Sequence, residues 1–151
     1  MSKYAKLKKE VLACALQSYR EQLFAGTSGN LSIYDPQLGA MIITPSGLPY
    51  ETMTAKDLMV ITLSGEVLEG KNRPSSEWRM HAEIYKKCPE IRALVHTHSP
   101  YATSFAVSDE AIPVILIEMG LFLGGDVRVA RFGLPGTVDV GLNALEALPQ
   151  R

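Results

Sequence analysis

The hydrophobic and polar positions of the chain change period several times along its length. Near the start, apolar residues recur at helical spacing and predict an amphipathic first helix with an apolar side made of Leu7, Val11, Ala15, Tyr19 and Leu23. The lysines of this stretch should lie on its solvated side: Lys3, Lys6, Lys8 and Lys9. Short apolar runs then predict strands at 31–34, 41–43 and 58–63, the last turning at Ser64-Gly65 toward Val67-Leu68 as a hairpin.

Helical and strand patterns also alternate in the rest of the chain. The predicted elements are a helix from 74–78 to Cys88-Pro89, a short buried strand at 93–95, a helix from Ser99-Pro100 to Val107, strands at 114–117 and 127–130, and a helix over 138–148 that Thr137 caps. Strands joined by hairpins, with helices at intervals, favour an α+β fold or a layered α/β/α arrangement.

Composition narrows the class of protein. A chain of 151 residues with 46% hydrophobic composition is long enough for one domain with a sizeable core. The net charge of −1 argues against a nucleic-acid surface. Two cysteines do not indicate a disulfide scaffold, and no signal peptide or long apolar span is evident, so we expect a cytoplasmic protein. A membrane role for the first helix is the less favoured interpretation.

Two histidines at alternate positions are the main candidate for metal binding. His96 and His98 follow the apolar run at 93–95, and the period of a strand would send both imidazoles to the same face. Imidazole nitrogens suit zinc and its first-row neighbours. Such a pair can also simply form hydrogen bonds or face solvent. The third histidine, His81, shares a helix face with Glu77, and we interpret it as a packing or hydrogen-bonding residue, with metal ligation the less favoured alternative.

Three segments rich in serine and glycine are candidate anion sites. In Pro74-Ser75-Ser76-Glu77-Trp78 the serines are typical helix caps, but their hydroxyls and the free N–H groups of a helix N-terminus also suit a phosphate. The loops at 26–30 and 44–47 offer similar hydroxyls and glycine amides. Each loop alone is ordinary turn chemistry, so the hypothesis depends on their occurrence together beside the histidine pair.

These segments, in this order, resemble the class II aldolase/adducin family of zinc-dependent sugar-phosphate enzymes, and especially its fuculose-phosphate type, over almost the whole chain. The motifs are Gly26-Thr27-Ser28-Gly29-Asn30-Leu31-Ser32, Ile43-Thr44-Pro45-Ser46-Gly47-Leu48-Pro49-Tyr50-Glu51, Pro74-Ser75-Ser76-Glu77-Trp78-Arg79-Met80-His81 and Val95-His96-Thr97-His98. The resemblance implies an α/β fold of three α/β/α layers with a mixed, largely antiparallel central sheet.

The resemblance also implies the roles of the site residues. Those that would hold the substrate phosphate are Gly29, Asn30, Ser46, Gly47, Ser75 and Ser76. His96 and His98 would bind one zinc ion in each subunit, and Glu77 would exchange the proton and also ligate zinc when substrate is absent. The family further implies a homotetramer with active sites near the subunit interfaces.

The expected activity is that of a lyase in carbohydrate metabolism, a zinc-dependent aldolase that cleaves a ketose-1-phosphate to dihydroxyacetone phosphate and a small aldehyde. A divalent metal can stabilise the enediolate without a Schiff base, and Glu77 can serve as acid and base. A pentulose-phosphate epimerase or dehydratase of the same fold is an alternative. A non-catalytic scaffold like the adducin head, which lacks the metal ligands, is another.

The chain departs from the family pattern at two places. Relatives supply a third histidine ligand downstream of a helix that resembles 138–148, whereas this sequence ends at Arg151. We therefore expect that the single domain of 1–151 lacks a C-terminal portion and is not a working enzyme alone. The tyrosine that fuculose-type aldolases carry after Ile112-Pro113 is also absent, which leaves the substrate open.

Overall fold

The computed structural model describes residues 2–148. Within this range the elements are α1 Ala5–Arg20, β1 Asn30–Asp35, β2 Ala40–Ile43, β3 Met59–Ile61, β4 Val67–Glu69, α2 Trp78–Lys87, β5 Ala93–His96, α3 Pro100–Val107 and α4 Asp139–Ala147. A 3-10 turn at Tyr50–Thr52 and a π-helical turn at Met119–Leu123 complete the set. No helix in the described part of the chain is long and apolar enough to cross a membrane.

The strands form one sheet in the order β4-β3-β2-β1-β5, and each of its pairings is antiparallel. The central strands are β1 and β2, which pair Ser32 with Ile43 and Asp35 with Ala40. On its other side β1 pairs with β5, with Asn30 opposite His96. The first residue of β1 therefore lies beside the last residues of β2 and β5, which brings three chain segments to the same end of the sheet.

A hydrophobic core lies on each face of the sheet because successive strand residues point to opposite sides. Val11 and Ala15 of α1 pack on one face with Ile42 and Val60, and all four are fully buried. On the other face α2 packs on side chains from β2 and β3: Met41, Ile43, Met59 and Ile61. The helices thus cover both faces of the sheet, and the predicted layered α/β/α fold is confirmed.

The first helix differs in detail from its predicted face. Lys8 is buried, with 5% of its surface exposed, and its Nζ lies 2.8 Å from Oε1 of Glu69 on β4. Lys8 lies one helical turn before Val11 and therefore faces the sheet, where the Glu69 carboxylate compensates its charge. The prediction that Lys8 is solvated is therefore wrong. Leu23 lies beyond the end of α1 and is exposed.

The strand predictions are least accurate after β4. No strand forms at 114–117 or 127–130, where the pairing is a single bridge between Ile112 and Val127. The histidine-bearing strand β5 is not buried, since it pairs only with β1 among residues 2–148 and Val95 is 52% exposed. Thr137 does not cap α4, because its hydroxyl donates to the carbonyl oxygen of Leu134. An apolar run predicts burial, but a strand also needs a partner with free backbone groups.

Candidate active site

Hydrogen bonds between loops fix the end of the sheet where the candidate residues lie. The N–H of Thr44 donates to the carbonyl of Leu31, and the N–H of Leu31 donates to Oγ1 of Thr44, at 3.1 and 3.2 Å. The Ser75 N–H donates to the Thr44 carbonyl at 3.0 Å, and Pro45 and Pro74 form an isolated antiparallel bridge. These contacts bring the loop after β2 against the loop before α2.

The conformation of Gly29 explains why this loop contains glycine. Its φ is +77°, and a Cβ at this position would lie 2.3 Å from the ring of Phe24 and 3.0 Å from the carbonyl oxygen of His96. The hydroxyl of Tyr50 donates to the carbonyl oxygen of Gly29 at 2.9 Å. Burial raises the pKa of Tyr50 to about 12, so this donor keeps its proton at neutral pH. The loop is therefore fixed closely against β5.

A cleft of about 360 Å³ opens at this end of the sheet. All nine candidate site residues line it: Gly29, Asn30, Ser46, Gly47, Ser75, Ser76, Glu77, His96 and His98. Residues from the chain before and within α4 close its other side: Gly133, Pro135 and Val140. Segments that are far apart in sequence thus meet around one cavity.

Glu77 occupies the position just before α2 and is partly buried. Its Oε1 accepts a hydrogen bond from the Gly136 N–H at 3.0 Å, and Nη1 of Arg79 donates to the Gly136 carbonyl at 3.2 Å. A serine cap at position 76 would start α2 at Glu77. The helix instead starts at Trp78, and no side chain caps it. The Ser75 hydroxyl instead accepts the N–H of Glu77, at 3.3 Å.

The two candidate metal ligands are close neighbours. The ring centroids of His96 and His98 lie 4.9 Å apart, which confirms that the imidazoles share one side of the chain. Burial, and then the neighbouring His98, hold the pKa of His96 below its usual value. His96 is therefore neutral at neutral pH, which is the form that binds a metal.

His81 makes two hydrogen bonds in the interior. Its Nδ1 lies 2.6 Å from Oγ of Ser32, and its Nε2 lies 2.6 Å from Oδ1 of Asn30. Burial is the main cause that lowers the pKa of His81 to about 3, so the ring is neutral. Because both ring nitrogens are engaged, the hydrogen-bonding interpretation of His81 is confirmed and His81 has no nitrogen free for a metal.

The donor set of the cleft suits a divalent metal ion in part. His96 and His98 supply adjacent imidazoles, which are common ligands of zinc and related ions. Glu77 lines the same cleft but does not join them, since no group of three His, Cys, Asp or Glu side chains close enough to hold an ion occurs among residues 2–148. Two protein ligands are therefore present where a catalytic zinc usually has three.

The sequence alone did not identify the cleft residues that come from the segment before α4. Gly136 contacts Glu77, and Gly133 and Pro135 line the cleft. The available signal was the Gly133-Leu134-Pro135-Gly136 segment, whose glycines and proline indicate a turn. A turn signal does not reveal which distant side chain the turn will contact.

Comparison with known proteins agrees with the geometry. Residues 9–151 match the Class II Aldolase and Adducin N-terminal domain family. The structure is similar to an L-fuculose 1-phosphate aldolase at 35% identity, with a TM-score of 0.89 over 98% of this chain and 68% of that chain.

Two further solved structures are similar to this chain at lower identity. The L-fuculose-1-phosphate aldolase from Thermus thermophilus is 27% identical, with a TM-score of 0.78 over 95% of this chain and 71% of that one. YgbL from Klebsiella pneumoniae, a proposed aldolase/epimerase/decarboxylase, is 26% identical, with a TM-score of 0.82 over 99% and 73% of the two chains. The predicted resemblance is confirmed, and the chain belongs to the class II aldolase and adducin family.

Proposed function

We propose that the protein is a metal-dependent aldolase that cleaves a ketose-1-phosphate to dihydroxyacetone phosphate and a small aldehyde. The observation that carries this proposal is the meeting of a carboxylate, two imidazoles and three loops with serine or glycine residues around one cleft. Such a combination offers an acid/base group, a metal-binding pair and an anion site to a single small molecule. Similarity to L-fuculose 1-phosphate aldolase at 35% identity supports the same activity.

In this proposal His96 and His98 hold the metal, and zinc is the ion that suits them best. When bound, a divalent ion supplies Lewis-acid stabilisation of negative charge on a substrate carbonyl oxygen. The lowered pKa of His96 favours this role because a metal ion binds the neutral imidazole and not the imidazolium.

Glu77 is the proposed acid and base. Cleavage between the third and fourth carbons removes the hydroxyl proton of the fourth carbon and leaves an electron pair on the third. The carboxylate of Glu77 would accept that proton and, as the acid so formed, would donate it to the third carbon. The Gly136 N–H holds one carboxylate oxygen at 3.0 Å. This bond would orient the carboxyl group toward the cleft while its second oxygen stays available for proton transfer.

The substrate phosphate is assigned to the loops around Gly29, Ser46-Gly47 and Ser75-Ser76, which line the cleft. Ser46, Gly47 and Ser76 are exposed there and can reach an anion. The side chain of Asn30 is engaged with two imidazoles, so any contact that Asn30 makes with the phosphate falls to its backbone. A homotetrameric assembly and a cytoplasmic location stay predictions.

The alternatives within the family differ in the chemistry that the same groups would perform. A pentulose-phosphate epimerase or dehydratase would reuse the metal pair and the phosphate loops. A scaffold like the adducin head has no need of them, and the retention of Glu77, His96 and His98 in one cleft argues against it.

The proton transfer can be tested without knowing which aldehyde the enzyme releases. Solvent deuterium exchange into dihydroxyacetone phosphate requires the metal and the base but no second substrate. We expect exchange by the zinc-loaded complete gene product, and Glu77→Gln should lower its rate on the order of 100-fold or more, as general acid–base contributions do. Glu66→Gln is the matched control, since Glu66 is exposed and outside the cleft.

Parallel turnover of ketose-1-phosphates and pentulose phosphates distinguishes the reactions. Release of dihydroxyacetone phosphate supports the aldolase, and epimerised or dehydrated product with no release would replace it with the alternative. Absence of both metal binding and exchange in the wild-type complete gene product would support the scaffold.

A further inference from the structure

A chain of buried hydrogen bonds runs from the core to the candidate metal ligand. The Tyr85 hydroxyl lies 2.8 Å from Oγ of Ser32, which lies 2.6 Å from Nδ1 of His81. Nε2 of His81 lies 2.6 Å from Oδ1 of Asn30, and Nδ2 of Asn30 lies 3.2 Å from Nδ1 of His96. Apart from His96 these side chains are almost completely buried: Tyr85 2%, Ser32 0%, His81 0% and Asn30 4% exposed.

The donors and acceptors of this chain are ordered in one direction. The amide of Asn30 accepts through Oδ1 and donates through Nδ2, so His81 must donate from Nε2 and His96 must accept at Nδ1. A neutral His81 then accepts at Nδ1 from the Ser32 hydroxyl. The single proton of the Tyr85 hydroxyl then goes to Oγ of Ser32, and not to the Ser32 carbonyl oxygen 3.0 Å away. In this arrangement the proton of a neutral His96 is on Nε2.

A metal ion bound to His96 needs the opposite arrangement. Nδ1 of His96 already faces Asn30, which leaves Nε2 as the nitrogen that would hold an ion, and a neutral ring would then carry its proton on Nδ1. Two donors would face each other unless the Asn30 amide turns over. The turned amide would accept from His96 through Oδ1 and donate to Nε2 of His81.

The buried chain can reverse without leaving a polar atom unsatisfied. With Asn30 turned over, the proton of His81 moves to Nδ1 and is donated to the Ser32 hydroxyl. Ser32 can donate to the Tyr85 hydroxyl, which has a second acceptor in the Ser32 carbonyl oxygen at 3.0 Å. Each side chain in this series of hydrogen bonds can both donate and accept a proton. A Lys, Met or Leu at position 81 could not do both.

On the basis of the proposed function, we infer that His81 is a positioning residue that acts through Asn30 to hold the orientation of His96 and to let its ring adopt the tautomer that binds metal. His81 touches neither the metal nor the substrate. Its role is to supply either a donor or an acceptor to Asn30, as the state of His96 requires. Groups that hydrogen-bond a ligating histidine typically change metal affinity about 10- to 100-fold when they are replaced.

Two amide substitutions separate this role from simple packing. In His81→Gln the amide reaches about as far as the imidazole Nε2 and keeps the contact with Asn30. In His81→Asn the shorter amide reaches only the position of Nδ1, keeps the contact with Ser32 and loses Asn30. Both variants place a neutral amide in the same buried site and keep one of the two hydrogen bonds of His81, and Asn is the smaller residue by one methylene.

The readouts are titration of the purified protein with zinc alone and urea unfolding of the metal-free protein. We expect both variants to be folded without metal, His81→Asn to lower zinc affinity about 10- to 100-fold and His81→Gln to retain most of it. Equal loss of affinity in both variants, or unchanged affinity in His81→Asn, would overturn the role of His81 and leave the proposed function standing. A wild-type complete gene product that binds no zinc would overturn the proposed function and this inference together.

The wild-type protein provides a second test that does not depend on variant folding. The chain contains only three histidines, so nitrogen NMR can assign the tautomer of each ring. We expect zinc to move the His81 proton from Nε2 to Nδ1, although His81 is not a ligand. A His81 ring that keeps its proton on Nε2 at saturating zinc would refute the reversal.

Discussion

Replacement of Gly29 by alanine should destabilise the protein through two separable effects. With φ at +77°, an alanine at this position adopts a left-handed backbone conformation, which has a cost of about 1–2 kcal/mol. Its Cβ would also lie 2.3 and 2.8 Å from ring atoms of Phe24. That ring is buried and stacks on Tyr50 at a centroid distance of 4.9 Å, so it has little freedom to move. Overpacking of this kind has a cost of about 1–3 kcal/mol.

The matched control is Gly47→Ala. Gly47 has a φ of +69° and also lines the cleft, but a Cβ there would meet no atom within 4 Å. Alanine at position 47 should therefore carry only the backbone cost, about 1–2 kcal/mol. Urea unfolding of the two variants, with unchanged dependence on denaturant concentration, gives the two free energies. We expect Gly29→Ala to be less stable than Gly47→Ala by about 1–3 kcal/mol. Equal stabilities would refute the close contact between Gly29 and Phe24.

Three further predictions concern phosphate, histidine and glutamate. Alanine at both Ser75 and Ser76 should weaken binding of phosphorylated ketoses, measured by calorimetry, far more than binding of their unphosphorylated forms; equal losses would indicate only a local structural effect. The unfolded protein binds a proton at His81 near pH 6.5 and the folded protein only near pH 3, so the free energy of unfolding should fall as pH drops through this window. His81→Gln should flatten that dependence, and an unchanged slope would contradict it. Lys8 is the main cause that lowers the pKa of Glu69 below 4.5, so Glu69→Gln should remove stability that the wild type has above pH 4.5 and loses under acid, as followed by urea unfolding at several pH values. Equal stability of variant and wild type at neutral pH would refute the contribution of this ion pair.

The sequence correctly predicted those helices and strands whose burial follows from the spacing of their own apolar residues. The apolar run at 41–43 lies in a strand that has helices on both sides. The helical spacing of the apolar residues at 78–87 matches the side of α2 that is buried. The candidate site could be predicted because its motifs resemble a family, not because the spacing of Ser46, Ser75 and His96 defines a cavity. Their meeting depends on the antiparallel register that sets Asn30 opposite His96.

The errors arise where a long-range partner decides the outcome. Lys8 is buried because Glu69, from a strand far along the chain, compensates its charge. Gly136 contacts Glu77 because α4 packs against α2. The run at 114–117 has the apolar composition of a strand, but no strand of the described chain pairs with it. A single sequence contains no record of these pairings.

The position of β5 at the margin of the sheet has a consequence for how the protein loses function on heating. Among residues 2–148, hydrogen bonds hold β5 to β1 on one side only, whereas β2 is paired on both sides. Segments with fewer pairings open locally at a lower free energy than the whole molecule unfolds. Local opening of β5 would carry His96 and His98 away from Glu77 while most of both hydrophobic cores stays closed. Amide hydrogens of β5 should then exchange with solvent sooner than those of β2, and metal binding should end at a temperature below the melting point of the tertiary structure.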